Sequence, residues 1–222
     1  MTDRRIRIIA GAGLTIGLVA ASYPFLWRNR CLTWGATADE VAMNLPGDEL
    51  LPDADIVTTR AVAISAPPSR IWPWLVQMGS GRAGAYTYDW IENLLGLDMH
   101  SADVILPQFQ DVSQGDEFPF GPMGGTMRVE ILDPERVCAW HYTEGDWVWI
   151  LALLPDDGTT RLVSRNRINI PAASPSARAT WAMLMEPGSL LMERKMLRGI
   201  KDRAERLAEQ RPAGTKVPAA AR

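Results

Sequence analysis

Between residues 126 and 168 apolar and polar side chains alternate with a period of two, the spacing of strands with two unlike faces. Thr126 to Leu132 sets Met127, Val129 and Ile131 against Thr126, Arg128 and Glu130, and "DPER" turns the chain into "VCAWHY", which predicts a hairpin. "DWVWILALL" is apolar at nearly every position, as a strand covered on both faces would be. "PDDGT" then leads into "TRLVSRNRINI", where Arg161, Val163, Arg165 and Arg167 share one face and Leu162, Ser164, Asn166 and Ile168 share the other. The arginine face is expected to be solvated, which leaves Ser164 and Asn166 facing inward.

On either side of this block the period becomes helical. "TTRAVAI" (58–64) reads as a strand, and "SAPPSRIWPWLVQM" turns on two prolines into a short apolar helix. Residues 177–186 form one predicted helical piece, and Pro187 opens a second, longer one to about Glu209. Its stripe of Met192, Met196, Leu197, Ile200, Ala204 and Leu207 is opposed by Glu193, Arg194, Arg198, Lys201 and Arg206. The order of elements predicts an α+β domain over 58–209, with the last helix across a curved antiparallel sheet. Residues 28–57 read as a connector containing a short helix with a Thr37/Glu40 capping box, and 210–222 as a disordered tail.

The chain opens with a basic flank, residues 1–7, followed by Ile8 to Trp27, 20 residues without a charge. At about 1.5 Å per helical residue this stretch reaches about 30 Å, the thickness of a bilayer's hydrocarbon, so it is expected to be a single transmembrane anchor. A cleaved signal peptide has the same grammar, with Ala20-Ala21-Ser22 as a small-residue site, and a buried or peripheral helix is the third reading. Arg4, Arg5 and Arg7 against Arg28 and Arg30 favour an inside N-terminus, with the main domain extracytoplasmic at a bacterial cell membrane. Gly13 and Gly17 make a GxxxG that would support a weak homodimer.

Composition narrows the function classes. A net charge of −3 offers no footprint for nucleic acid. Cys31 and Cys138 are too few for a disulfide framework or a zinc site of thiolate spacing, and no Gly-x-Ser-x-Gly elbow or HExxH occurs. "GSGRAGA" lacks the lysine of a phosphate loop, and its glycines fit tight turns. No motif calls for a cofactor, and Asp98, His100 and Asp103 lack supporting metal-ligand spacing. Nine tryptophans and ten methionines, by contrast, supply more large adaptable apolar side chains than core filling requires, which suits a pocket for an apolar ligand.

The phrases "WGATADEV", "LPGDEL", "APPSRIWPWLVQMG", "YTYDWIENLLG", "QDVSQGDEF" and "MERKMLRGIK", in this order over about residues 31–208, resemble the SRPBCC (START-like, polyketide cyclase/dehydrase-like) superfamily, most nearly a bacterial group. The resemblance implies the helix-grip fold, an antiparallel sheet wrapped around a long C-terminal helix with an elongated cavity between them. It leaves the chemistry open, because members bind lipids, hormones and polyketides while some catalyse cyclisation or dehydration.

Candidate site residues follow from both lines. In "GAYTYDWIENLLGLDMHSADVI" (84–105), a helix over 87–96 would turn Trp90, Ile91, Leu94 and Leu95 to the core and Asp89, Glu92, Asn93 and Gly96 to water. Alternatively the segment forms the mouth of the cavity. The expected ligand-binding residues are Tyr86, Trp90, Asn93, Trp140, His141, Trp149, Ser164, Asn166, Met192 and Met196, around a hydrophobic small molecule or lipid. If the protein is an enzyme, Tyr88, Asp89 or His100 would transfer protons, with Asp98 or Asp103 orienting the histidine. A non-catalytic tethered interaction module is the third reading.

Overall fold

The computed structural model describes residues 27–121, 124–170 and 174–209. Six strands, β1 (Ile56–Ile64), β2 (Glu117–Pro119), β3 (Thr126–Asp133), β4 (Val137–Tyr142), β5 (Trp147–Asp156) and β6 (Thr159–Ile168), form one sheet in the order β1-β6-β5-β4-β3-β2. Every neighbouring pair is antiparallel, and a register shift between Val129 and Ile131 bends β3. The helices are α1 (Arg28–Leu32), α2 (Ala38–Ala42), α3 (Pro68–Val76), α4 (Asp89–Leu94) and α5 (Pro175–Glu209). The long C-terminal helix against an antiparallel sheet is the helix-grip arrangement that the SRPBCC resemblance implies.

The two faces of β5 explain its uninterrupted apolar run. Trp147, Trp149, Leu151 and Leu153 pack with Leu162, Val129 and Cys138 beneath α3 and α5. Val148, Ile150 and Ala152 pack on the opposite face with Ala61, Ala139, Val163 and Leu45. That second layer is closed by the connector, which lies on the sheet instead of trailing away from it.

The arginines of β6 are therefore not solvated, which corrects the expectation from alternation. Arg165 is 2% exposed and donates to the carbonyls of Glu40, Val41 and Met43, to Thr59 Oγ1, and to Asp48 at 2.6 Å. Arg167 reaches the carbonyls of Leu51 and Pro52, and Arg161 forks onto Glu40 at 2.7 and 2.8 Å. Glu40 also closes the α2 capping box with Thr37. A connector rich in prolines and turns leaves backbone carbonyls unpaired, and guanidinium groups with five donors satisfy them.

Helix α5 runs unbroken through Pro187, where a new helix was expected to begin. Proline removes one main-chain bond and crowds the preceding turn. Contacts on both sides of it hold the turns in line, Arg28 with Glu186 and Arg60 with Glu193. Further along, Gly199 lets the Tyr86 segment press onto the helix, because a Cβ there would lie 2.7 Å from the Tyr86 carbonyl oxygen.

Among the described residues no helix is long and apolar enough to cross a membrane. The expected anchor over 8–27, except for Trp27, lies outside them, as do the Gly13/Gly17 spacing and the expected disordered tail over 210–222. Trp27 itself is 55% exposed at the start of α1.

Arg165→Met strips the buried connector carbonyls and Asp48 of their donor, a loss expected to cost about 3 kcal/mol. Urea unfolding should show that loss together with faster protease cleavage within 36–55. Unchanged stability would mean that the connector is held by its apolar contacts alone.

Candidate functional site

Between the sheet and the first half of α5 lies a partly open cavity of about 850 Å³. Its walls include Trp140, Trp147, Trp149 and Trp181, with Met78, Met99, Met127, Met185, Met192 and Met196. The β4–β5 hairpin brings the rings together: Trp140 and Trp149 are 5.3 Å apart by centroid, and Trp147 stacks on Trp149 at 6.3 Å. Two of the indoles are fixed by hydrogen bonds, Trp147 Nε1 donating to Asn166 Oδ1 and Trp149 Nε1 to Ser164 Oγ, both at 2.9 Å. The aromatic wall is thus preformed.

Those bonds belong to a buried polar network that joins α5 to three strands. Ser164 Oγ donates to Glu193 Oε1, which also accepts from Asn166 Nδ2 at 3.1 Å. Arg60, fully buried on β1, donates to Glu193 Oε2, to Ser189 Oγ at 3.0 Å and to the Cys31 carbonyl at 2.9 Å. Arg60, Glu193 and Asn166 all line the cavity, so part of its wall is a charged but internally compensated patch. Ser164 supports this patch from beneath, outside the lining.

Several expected residues are placed elsewhere. Asp89 accepts from Ser101 N and Oγ at 2.8 and 2.6 Å. His100 faces solvent beside Asp98 at 3.2 Å, whereas Asp103 turns to Arg203, so the three never converge. Tyr88 is half-buried under Lys195, whose Nζ lies 6.0 Å from its ring centroid. None of Tyr88, Asp89 and His100 lines the cavity, and proton transfer there cannot use them directly. His141 points from the face of β4 opposite Trp140, away from the cavity.

Tyr86 and Asn93 are structural in position. The Tyr86 hydroxyl donates to the Trp74 carbonyl and accepts from Gln77 Nε2, and burial raises its pKa above the ordinary phenol value. Asn93 clasps the backbone N–H and C=O of Met99 at 2.6 and 2.8 Å, which holds a cavity-lining loop in place. Trp90 is 70% exposed, with Leu94 and Leu95 exposed beside it. Helix α4 is therefore turned over relative to its amphipathic pattern. It is only six residues long, and satisfying the backbone of the following loop outweighs the burial of its apolar face.

That inversion brings in Glu92, which periodicity had assigned to water. Glu92 is 7% exposed and lines the cavity, and its Oε2 has no hydrogen-bond partner. Burial raises its pKa, and the nearby Asp89 charge adds to the rise. The Thr87 hydroxyl lies close enough to counter part of it, although neither Thr87 Oγ1 nor Glu92 Oε2 completes a hydrogen bond. No sequence signal marks this residue, because its burial follows from how the 97–101 loop is tied down.

No family model matches the chain, and no curated protein matches it. Among solved structures it is similar to CalU16 from Micromonospora echinospora, at 15% identity over 69% of this chain and 86% of that one, with a TM-score of 0.33. It is also similar to the Polyketide_cyc-like protein Cgl2372 from Corynebacterium glutamicum, at 16% identity over 68% and 88%, with a TM-score of 0.33. Protein NE0264 from Nitrosomonas europaea, at 13% identity over 69% and 97%, has a TM-score of 0.44. Likenesses this distant say nothing of the present chain's ligand or activity.

A carboxyl whose pKa rises on folding favours the native state most when protonated, so its contribution is lost as pH climbs from the unfolded value of 4.5 through the folded one. Glu92→Gln should therefore raise the melting temperature at pH 7.5 and bring much less gain at pH 4. Equal gains at both pH values, or a loss at pH 7.5, would show that Glu92 is not an uncompensated charge.

Proposed function

We propose that this protein is a membrane-tethered binding domain for a hydrophobic small molecule or lipid, which it holds between the sheet and α5. The cavity carries this reading. Its volume lies within the range of small-molecule sites, about 300 to 1,000 Å³, and its exposed wall is mainly apolar. The hydrogen-bonded indoles of Trp147 and Trp149 on the sheet and the flexible Met185, Met192 and Met196 on α5 suit a guest whose shape is accommodated by the helix. The SRPBCC resemblance supports the same reading.

Tethering is supported from two directions. The charge-free stretch 8–27 has the length of a bilayer span and ends at Trp27. Arg28 then pairs with Glu186, the neighbour of the cavity-lining Met185, so the chain leaves that stretch beside the cavity. Trp90 and Leu94 on α4, Leu95 just after it, and Leu184 and Leu191 on α5 add exposed apolar side chains. A guest exchanging with the membrane would cross little water. The two arginines after the span against three before it favour a domain outside the cytoplasm, and Gly13 with Gly17 would allow weak pairing of anchors.

The second reading is a cyclase- or dehydratase-like enzyme. What supports it is Glu92, a cavity carboxyl poised for protonation, and none of the three residues first considered.

Native mass spectrometry of the full chain, gently extracted, should reveal a co-purifying apolar guest. Met192→Trp, which fills the cavity, should lower affinity for an apolar fluorescent probe by about tenfold or more while leaving the melting temperature within a few degrees. Empty protein together with probe binding indifferent to Met192→Trp would overturn the binding reading. Full-length chain should stay with membranes washed in alkaline carbonate, and Leu14→Arg/Leu18→Arg should release it; wild-type chain in the wash would refute the anchor.

A further inference from the structure

We infer that the guest is a hydrophobic cation, an amine with a long apolar body, whose ammonium group sits on Glu92 in the cavity that the aromatic wall also lines. The inference rests on the binding reading above and specifies the charge of what is bound.

The argument begins with the charges that face the cavity. Among the described lining residues are four carboxylates, Glu92, Glu144, Asp146 and Glu193, and one cation, Arg60. Arg60 does not balance this set, because it is committed to Glu193, Ser189 and the Cys31 carbonyl. Glu193 is thereby answered within the protein. Glu144 and Asp146 are exposed on the β4–β5 turn, where water and salt screen them, so they attract a cation without fixing it.

Glu92 differs from the other three. It is nine-tenths buried, it has no ion-pair partner among the described residues, and its Oε2 makes no hydrogen bond. A buried carboxylate in apolar surroundings is costly unless a counter-charge accompanies it, and the described residues supply none. A bound ammonium would supply it. The same cavity is lined by Trp140, Trp147, Trp149, Trp181 and Tyr142, and aromatic rings attract desolvated cations. An anionic guest of the same length would meet Glu92 with like charge, and a neutral alcohol would leave that charge unanswered.

Three probes of equal length separate charge from greasiness: dodecylammonium, dodecanol and dodecanoate, each titrated calorimetrically below its aggregation limit into the full chain in a mild non-ionic detergent. Dodecylammonium should bind most tightly and dodecanoate most weakly. Glu92→Gln should weaken dodecylammonium by about tenfold or more and leave dodecanol within about twofold. Met192→Trp should weaken both, which locates the binding inside the cavity. Dodecanol binding as tightly as dodecylammonium, an ammonium preference that survives Glu92→Gln, or ammonium binding indifferent to Met192→Trp would each overturn the cation inference while dodecanol binding keeps the cavity reading. Failure of all three probes would remove both.

Discussion

Arg60 lies wholly inside the protein on a strand of the sheet, and a guanidinium in that position must be answered. Glu193 of α5 answers it, with Ser189, Ser164, Asn166 and the Cys31 carbonyl completing the network. This pairing sets the distance and rotation of the long helix over the sheet more tightly than apolar contacts could, because methionine and leucine tolerate sliding and a charge-assisted fork does not. Once the helix is pinned along that edge, its methionine face hangs over the tryptophan wall and a cavity is left between them. The same network orients two of the indoles, so wall and anchor form one unit.

The other face of the sheet works by a different rule. There a connector with little regular structure is laid over strands β4, β5 and β6, and its free carbonyls and acids would be costly to bury alone. The arginines of β6 meet them. Both layers of the domain thus rely on guanidinium groups at buried positions, on one side to hold a helix and on the other to hold a loop.

Glu92 stands apart from these satisfied groups. Its carboxyl lines the cavity with no ion-pair partner among the described residues, while the surrounding loop is tied down by Asn93 on Met99 and Asp89 on Ser101. The loop's own bonds hold the charge in an unfavourable place. Such an arrangement lowers the stability of the empty protein and leaves an interaction for a guest to complete, a tension common at binding sites.

Periodicity alone was enough to read the strands of the 126–168 block, the apolar stripe of the last helix and the α+β order, because a long amphipathic element shows its faces in sequence. It also turned Ser164 and Asn166 inward, but it did not say which way Trp140 and His141 face on β4. It said nothing of what covers each face, and so it sent the β6 arginines to water when a connector in fact lies over them. For the six residues of α4 periodicity misled outright, since so short a helix is oriented by the backbone it must satisfy and not by its greasy side. The burial of Glu92 followed from the bonds that tie the 97–101 loop to α4. The unbroken run through Pro187 and the open space under α5 were decided in three dimensions, where contacts between residues over a hundred positions apart outweigh local preference.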